Sequence, residues 1–422
     1  MKRFFLCFTA SGVGCQENSM FRRFLVTAAA FTATYAPASA QTFSEALAAS
    51  KPILESRLRS ETNDQAGLQK AEALTWRNRI GFQSGEFNKL KLLVEFEDVR
   101  ALKDDYNSGT NGKTTFAGVG DPEGTELNRL QLTWTPNKAA TFIAGRQRIV
   151  LDDGRFVGNS GWRQDEQTFD ALRGDFKHGK WAVTYAYLSK VNRTQAEAAD
   201  WDSDSHLINV AYAYSPALKV QVYDYALDFE GAPANSTNTL GARVSGEKSL
   251  TRIKLTYAAH YASQKDYGNN PADFDLNSFS FDGGLTHGIA TVRVGYESLE
   301  GNGVRGFITP IASNHGFRGW ADAFSTAGNK TMPAGLVDRN IGIVLTPESP
   351  VNFFKKPALT LIYREFETET TGLAVGSEWD AMATTDLTKN LSLMLKYADF
   401  ERDGPPMPAS RTKVWVALEY KL

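Results

Sequence analysis

Residues 145–173 read GRQRIVLDDGRFVGNSGWRQDEQTFDALR, and the charge pattern of this stretch decides the fold. Arg146, Arg148, Arg155, Arg163 and Arg173 stand among Asp152, Asp153, Asp165, Glu166 and Asp170, while Gly145, Gly154, Gly158 and Gly161 disfavour a helix through the middle. Residues 139–149 before the cluster and 169–176 after it alternate like strands, so the cluster reads as a long connection between two antiparallel strands. The flanking strands carry arginines on one face. A soluble sheet does not bury such residues, whereas a wide barrel with a wet interior accommodates them.

The rest of the chain follows this lead. Segments with strand character fall at residues 53–61, 74–83, 90–97, 126–135, 141–148, 169–176, 181–188, 207–214, 218–227, 239–245, 251–261, 275–282, 289–297, 339–345, 358–366, 378–384, 391–398 and 412–422. That is about eighteen, an even number as bacterial barrels require. Every second connection is short and rich in breakers, as at 84–89, 136–140, 177–180, 215–217, 246–250, 283–288 and 387–390. The intervening ones, such as 99–125, 149–168, 189–206, 262–274 and 298–338, are long. This parity predicts an all-β protein, a transmembrane antiparallel β-barrel of about 18 strands with short periplasmic turns and long outer loops.

Alternation assigns the faces. Leu90, Leu92, Val94 and Phe96 oppose Lys91, Glu95 and Glu97, and Ile253, Leu255 and Tyr257 oppose Arg252, Lys254 and Thr256. Apolar out and polar in suits a bilayer. Trp134, Trp181, Tyr214, Tyr363 and Tyr397, near strand ends, suit interfacial girdles.

The N-terminus predicts a compartment. After Met20 come Arg22 and Arg23, an apolar run at 24–31 and an A-x-A site at 38–40, which is the pattern of a secretory signal. The expected organisation is a signal region over residues 1–40, with 1–19 a mis-assigned start and 20–40 the signal peptide, then a barrel over 41–422. A rival lipoprotein signal ending at Cys15 has too short an apolar run. Both cysteines, Cys7 and Cys15, precede the cleavage site, so no disulfide is expected beyond it. Removing residues 1–40 takes away four basic and one acidic residue and leaves a formal charge of −5, which argues against nucleic acid as a partner. Mean hydropathy is −0.34, and no apolar run beyond residue 41 reaches the roughly 20 residues of a membrane helix.

With the apolar face outside, the pore-lining set is Arg57, Arg59, Arg77, Arg79, Arg129, Arg146, Arg148, Arg173, Arg243, Arg252, Lys254, Arg293 and Arg364, joined by Lys219 and Lys396. Inward acids are fewer: Glu95, Glu97, Asp175, Glu378 and Asp380. A single lumen arginine is read most simply as pairing across strands and stiffening the wall; the excess as a set attracts anions. No catalytic constellation emerges. His178, His206, His260, His287 and His315 form neither a nucleophile pair nor a metal-ligand spacing. Asp200, Asp202 and Asp204 lack the glycine and distal glutamate of a calcium loop and read as a solvated loop tip. No enzyme activity, cofactor or metal is expected.

Two motif groups carry a resemblance. One is G-R-Q at 145–147, Arg155, Gly158, W-R-Q at 162–164, Gln167 and Asp170; the other is Phe307, T-P at 309–310, His315, Phe317, G-W-A-D at 319–322, Phe324, Gly335 and Asp338. With them the chain resembles the alginate-export family of outer-membrane porins. The resemblance implies an eighteen-stranded barrel in outer-membrane lipid with an electropositive pore for an anionic polysaccharide. Its partners would be that polymer or a small anionic solute, and a periplasmic secretion scaffold. Arg155, Trp162, Arg163, Asp170, His315, Trp320 and Asp322 would then form the loop constriction, with Arg146, Arg148 and Arg173 beside it. Family members that secrete alginate have a long periplasmic turn near the C-terminal end, where this chain has only residues 387–390. Residues 346–357, with their prolines and Lys355-Lys356, are the candidate to serve in its place.

Overall fold

The computed structural model describes residues 42–326, 329–347, 354–404 and 407–422; the expected signal region lies outside them. The strands are β1 (Lys51–Gln65), β2 (Ala71–Gln83), β3 (Leu90–Asp105), β4 (Gly124–Asn137), β5 (Ala140–Gln147), β6 (Thr168–His178) and β7 (Trp181–Asn192). They continue as β8 (Trp201–Ser215), β9 (Leu218–Leu227), β10 (Thr237–Ser249), β11 (Lys254–Asp266), β12 (Asp275–His287) and β13 (Ala290–Leu299). A two-residue hairpin, β14 (Ser325–Thr326) with β15 (Asn329–Lys330), sits in the following loop. The last five are β16 (Leu336–Leu345), β17 (Lys355–Glu367), β18 (Ala374–Asp386), β19 (Leu391–Arg402) and β20 (Arg411–Lys421). Setting the small hairpin aside, 18 strands pair antiparallel with their sequence neighbours, and β1 also pairs with β20, so the sheet is a closed barrel. Each expected strand lies within or largely overlaps one of these.

Closure removes every sheet edge, and the bilayer sets the pattern of side chains. Ile80 is 61% exposed, Phe96 54%, Leu285 54% and Ile341 54%, all on the outer wall where lipid takes the place of water. Moving a side chain of this size out of water contributes about 1.5–3 kcal/mol. Trp134 stacks on Phe142 outside β4–β5, and Tyr363 packs on Trp379 outside β17–β18. No helix among the described residues is long and apolar enough to cross a membrane; the strands do the crossing. A short helix, α1 (Phe43–Ala48), closed by a Thr42–Glu45 capping box, rests Phe43 edge-on against Phe87 of the β2–β3 turn.

The interior differs from a uniformly wet lumen. Phe169, Leu188, Leu207, Tyr223, Leu227 and Leu276 point inward and are buried by Ile149, Phe156, Val157, Phe307 and Ile311. These come from the long connections 148–167 and 300–335, which fold into the barrel and need an apolar bed there. A second cluster packs Trp162, Trp320 and Phe324 against Ile362, Phe366, Phe400 and Trp415 of β17, β19 and β20. The inward face of β6–β9 is therefore packed against loops, and the wall strands that line the remaining cavities are β1, β2 and β18–β20.

Candidate pore constriction

The loop 148–167 is held at both ends by ion pairs. Arg148 meets Glu166 at 2.5 Å and Glu95 at 3.5 Å, while Arg155 meets Glu297 at 2.6 Å and Asp282 at 3.0 Å. Burial opposes the charge on Arg155, but Glu297 and Asp282 outweigh it and hold its guanidinium above the usual range. From the wall, Arg57 donates through Nε to Gln164 Oε1 at 2.8 Å and to the carbonyls of Gly161 and Arg163. Arg59 donates to the Trp162 carbonyl and pairs with Asp121. Glycine at 158 allows the close approach of the other loop, because a Cβ would stand 2.9 Å from the Ser313 backbone nitrogen and 2.2 Å from its Oγ.

At the tip of this loop the His315 ring lies on Trp162, centroids 4.3 Å apart and planes within 3°. His315 Nε2 sits 2.7 Å from Lys396 Nζ, which lies over the faces of Trp162 and Trp320 at 3.9 and 4.0 Å. His315 Nδ1 faces Asp322 at 3.1 Å, and Asp322 also receives Lys330 at 2.8 Å, Arg163 at 3.1 Å and Lys413 at 3.3 Å. Burial disfavours the Asp322 carboxylate, yet Lys330, His315 and Lys413 hold it well below the usual range. Burial, then Lys396, push His315 well below its usual value.

Two cavities meet at this point, of about 320 Å³ toward the long loops and about 340 Å³ toward the short turns, and Trp162 and Ser313 line both. The outer cavity is lined by the cations Arg163, Arg193, Lys330, Arg411 and Lys413 and by one carboxylate, Asp322. The inner one carries Arg57, Arg59, Arg77, Arg79, Arg148 and Lys421 against Glu55, Asp153, Glu166 and Glu419. Among the described residues Arg57 and Arg411 make no ion pair and bond only neutral acceptors. A third junction joins the loop to the wall, where oxygens of Glu97, Glu126 and Asp165 all lie within 4.8 Å of one another. Burial first, then the charges of Glu126 and Glu97, push the Asp165 carboxyl well above the usual range.

The sequence-derived set divides. Arg57, Arg59, Arg77, Arg79 and Arg148 line the inner cavity, and Arg129 faces inward on Glu95 at 2.5 Å. Arg173, on Asp175, and Arg293 fall on the inward face by register. Arg243 and Arg364 point inward and bond the wall, Arg243 with Gln221, Ser245 and His260, and Arg364 with Asp338 and Asp380. Three pore assignments are corrected. Arg146 pairs in register with Leu130 and Asp170, opposite in parity to inward Gln147 and Phe169, so it faces outward and binds Asp170 at 2.8 Å. Arg252 lies exposed in the β10–β11 turn, because β11 starts only at Lys254. Lys254 keeps the inward parity but sits at the half-exposed mouth, paired with Glu247 at 2.7 Å.

Of the loop set, Arg155, Trp162, Arg163, His315, Trp320 and Asp322 are brought into the loop assembly, whereas Asp170 is an outward residue of β6. Asp202 and Asp204 belong to β8 rather than to a loop tip, and Asp200 pairs with Lys190 at 3.1 Å. Lys355 and Lys356 belong to β17, and the β18–β19 turn is the short one expected at residues 387–390. Sequence reasoning missed Lys330, Arg193, Arg411, Lys413 and Lys421. Arg411, Lys413 and Lys421 carried a signal, since they alternate with outward Val414, Val416 and Leu418 in β20; the loop cations Lys330 and Arg193 carried none.

A closed 18-strand barrel narrowed by inward loops defines an outer-membrane channel of the porin class. OccAB4 of Acinetobacter baumannii aligns with a TM-score of 0.68 at 10% identity, covering 88% of this chain and 98% of that one. The outer membrane protein OpdK of Pseudomonas aeruginosa gives 0.67 at 12%, covering 88% and 98%. OpdL of Pseudomonas aeruginosa gives 0.66 at 16%, covering 89% and 99%. At these identities the likeness is one of fold. No curated protein matches the sequence. The alginate export family model matches residues 53–291, more than half of the chain, and the chain belongs to that family. Family and fold point to a channel rather than to an enzyme.

Proposed function

We propose that this protein is an anion-preferring channel that passes carboxylated solutes passively across the outer membrane. The reading rests on one observation: five cationic side chains against one carboxylate line the outer cavity. The low-dielectric wall focuses their field, which raises the local concentration of anions and repels cations. Cavities of about 320 and 340 Å³ on either side of Trp162 match small anions, uronate sugars among them. Planar-bilayer recordings of the purified barrel under a salt gradient test this. The reversal potential is expected to take the sign of chloride permeation, and a cation-selective channel would overturn the reading.

Membership of the alginate export family favours a second reading, passage of the anionic polymer itself, with a periplasmic scaffold docked at the short-turn rim. A polymer requires the Trp162–His315 stack to part. Flux of uronate oligomers of increasing length through liposomes carrying the barrel separates the two: a cut-off at one or two sugars keeps the small-anion channel, and passage of long oligomers establishes the exporter.

A further inference from the structure

Three carboxylates from three elements meet where the loop 148–167 touches the wall. Glu97 of β3 and Glu126 of β4 stand directly opposite each other in the ladder, and Asp165 of the loop joins them, with oxygens of all three within 4.8 Å of one another. Like charges facing across two strands destabilise the pair unless an opposite charge stands with them. The chain supplies little of it. Arg79 reaches the cluster through Glu97 Oε2 and is shared with Glu166 at 3.5 Å and Glu55 at 3.6 Å. Glu126 and Asp165 make no ion pair among the described residues, and Asp165 Oδ2 accepts the Ala196 N–H at 3.3 Å. The second oxygens, Glu97 Oε1 and Asp165 Oδ1, accept no hydrogen bond among the described residues, although Glu97 is 1% and Asp165 6% exposed. Buried carboxylate oxygens without a donor are costly, and two of them at one junction call for a ligand that accepts their electron pairs. The donor set selects it. Oxygen ligands with no nitrogen or sulfur among them favour calcium or magnesium over zinc or copper. Calcium holds its oxygens at about 2.3–2.6 Å in flexible geometry, so two on opposite sides stand up to about 5 Å apart, whereas magnesium demands about 2.0–2.1 Å and near-octahedral angles. The spread of these three oxygens suits calcium. Glu126 is half-buried, which leaves a way in for the ion and room for the waters that complete its shell.

We propose that Glu97, Glu126 and Asp165 bind a calcium ion that fastens the loop 148–167 to the β3–β4 wall. The ion adds to the ion pairs of Arg148 and Arg155 a further attachment, one set by the concentration of a solute. In calcium-free buffer the same oxygens are relieved by binding protons instead. The site concerns what holds the loop and is independent of which anion passes beside it.

The test uses the full barrel, refolded in detergent without lipopolysaccharide so that lipid phosphates take up no metal, and isothermal titration with calcium chloride at neutral pH. One ion per barrel is expected to bind with a Kd of about 0.1–1 mM, the range of extracellular calcium modules, and magnesium about tenfold more weakly. At about ten times the measured Kd, protease digestion within residues 148–167 is expected to be about tenfold slower than in chelator, because the detached loop is depleted by one plus the ratio of calcium to Kd. Glu126→Gln keeps the size of the side chain but removes a ligand charge. It is expected to weaken calcium binding about tenfold or more and to remove the effect of calcium on digestion at the same concentration. Heat-modifiable migration reports that the variant barrel is intact; if it does not assemble, Asp165→Asn is read in the same way. A wild type that takes up no calcium at about 10 mM overturns the site. Uptake and protection that the variant retains in full also overturn it and assign the ion to surface carboxylates. Uptake without slower digestion overturns the fastening of the loop.

Discussion

His315 lies flat on Trp162, centroids 4.3 Å apart, and this contact joins the two inward loops where the two cavities meet. The first comes from between β5 and β6 and the second from between β13 and β16, so one stacked pair couples elements far apart in the wall. Removing the indole should open the path without destroying the barrel. In Trp162→Ala the single-channel conductance is expected to rise, with a stability loss of about 1 kcal/mol for the ring pair beyond its buried area. An unchanged conductance would place the constriction elsewhere.

Selectivity should follow which arginines face the lumen. Arg57→Gln and Arg411→Gln each remove a positive charge that makes no ion pair, so neither orphans a carboxylate. At about 8 Å in a water-like dielectric a unit charge favours an anion by about 0.5 kcal/mol and disfavours a cation by as much, a factor of about six in the anion-to-cation permeability ratio. Arg146→Gln, on the outer wall, is expected to leave the ratio unchanged. Reversal potentials of the three variants check the register directly.

Arg155 anchors its loop to two buried carboxylates, Glu297 and Asp282. Replacing it with methionine keeps the volume but takes the nearest cation from both carboxylates, leaving Glu297 only Arg318 at 3.7 Å, at a cost of about 3 kcal/mol. The Arg155→Met barrel should unfold at lower temperature in heat-modifiability gels and show flickering current as the loop detaches. A steady current at wild-type level would mean that the other contacts of the loop suffice.

The carboxyl of Asp165 gives the attachment a pH dependence with a fixed sign. Its folded value is raised, by burial and by Glu126 and Glu97, above the roughly 3.9 of a free aspartate. Between those two values the folded protein binds more protons than the unfolded chain, so stability falls as pH rises through the folded value. Loop retention, read by protection of residues 148–167 from added protease, should be greatest in mildly acid buffer and decline toward alkaline pH. Asp165→Asn should flatten that dependence; a dependence that persists would trace it to another group.

The barrel was legible because its two solvents differ so sharply. Runs such as Val414, Val416 and Leu418 against Lys413, Trp415 and Ala417 mark lipid and lumen at every second residue, and short turns recur with the same parity. The constriction was legible in part, through the density of arginine, aspartate and glycine at residues 145–173. Parity misled at Arg146 and Arg148, which share it by number. The wall ends at Gln147, and beyond it the chain turns inward, so Arg148 reaches Glu95 and Glu166 while Arg146 stays outside. The inward apolar patch at Phe169, Leu188 and Leu207 had no distinguishing pattern, because a strand facing a folded loop and a strand facing lipid present the same residues. Lys330 and Arg193 reach the cavity only through loop geometry, which composition does not record.

The seam between β1 and β20 sets an order of events for biogenesis. Glu55 stands opposite Lys421 and Gln65 opposite Arg411, so the cylinder is sealed by contacts more than 340 residues apart. Every other wall contact can form between neighbouring hairpins, but this one must wait until the final strand has been delivered and the whole wall has curled. Until then β1 presents a free edge, the feature by which strands of separate chains recruit one another. A cell making this barrel must therefore shelter its first strand for the longest time, and a chain stalled before Arg411 would be the form most prone to aggregate.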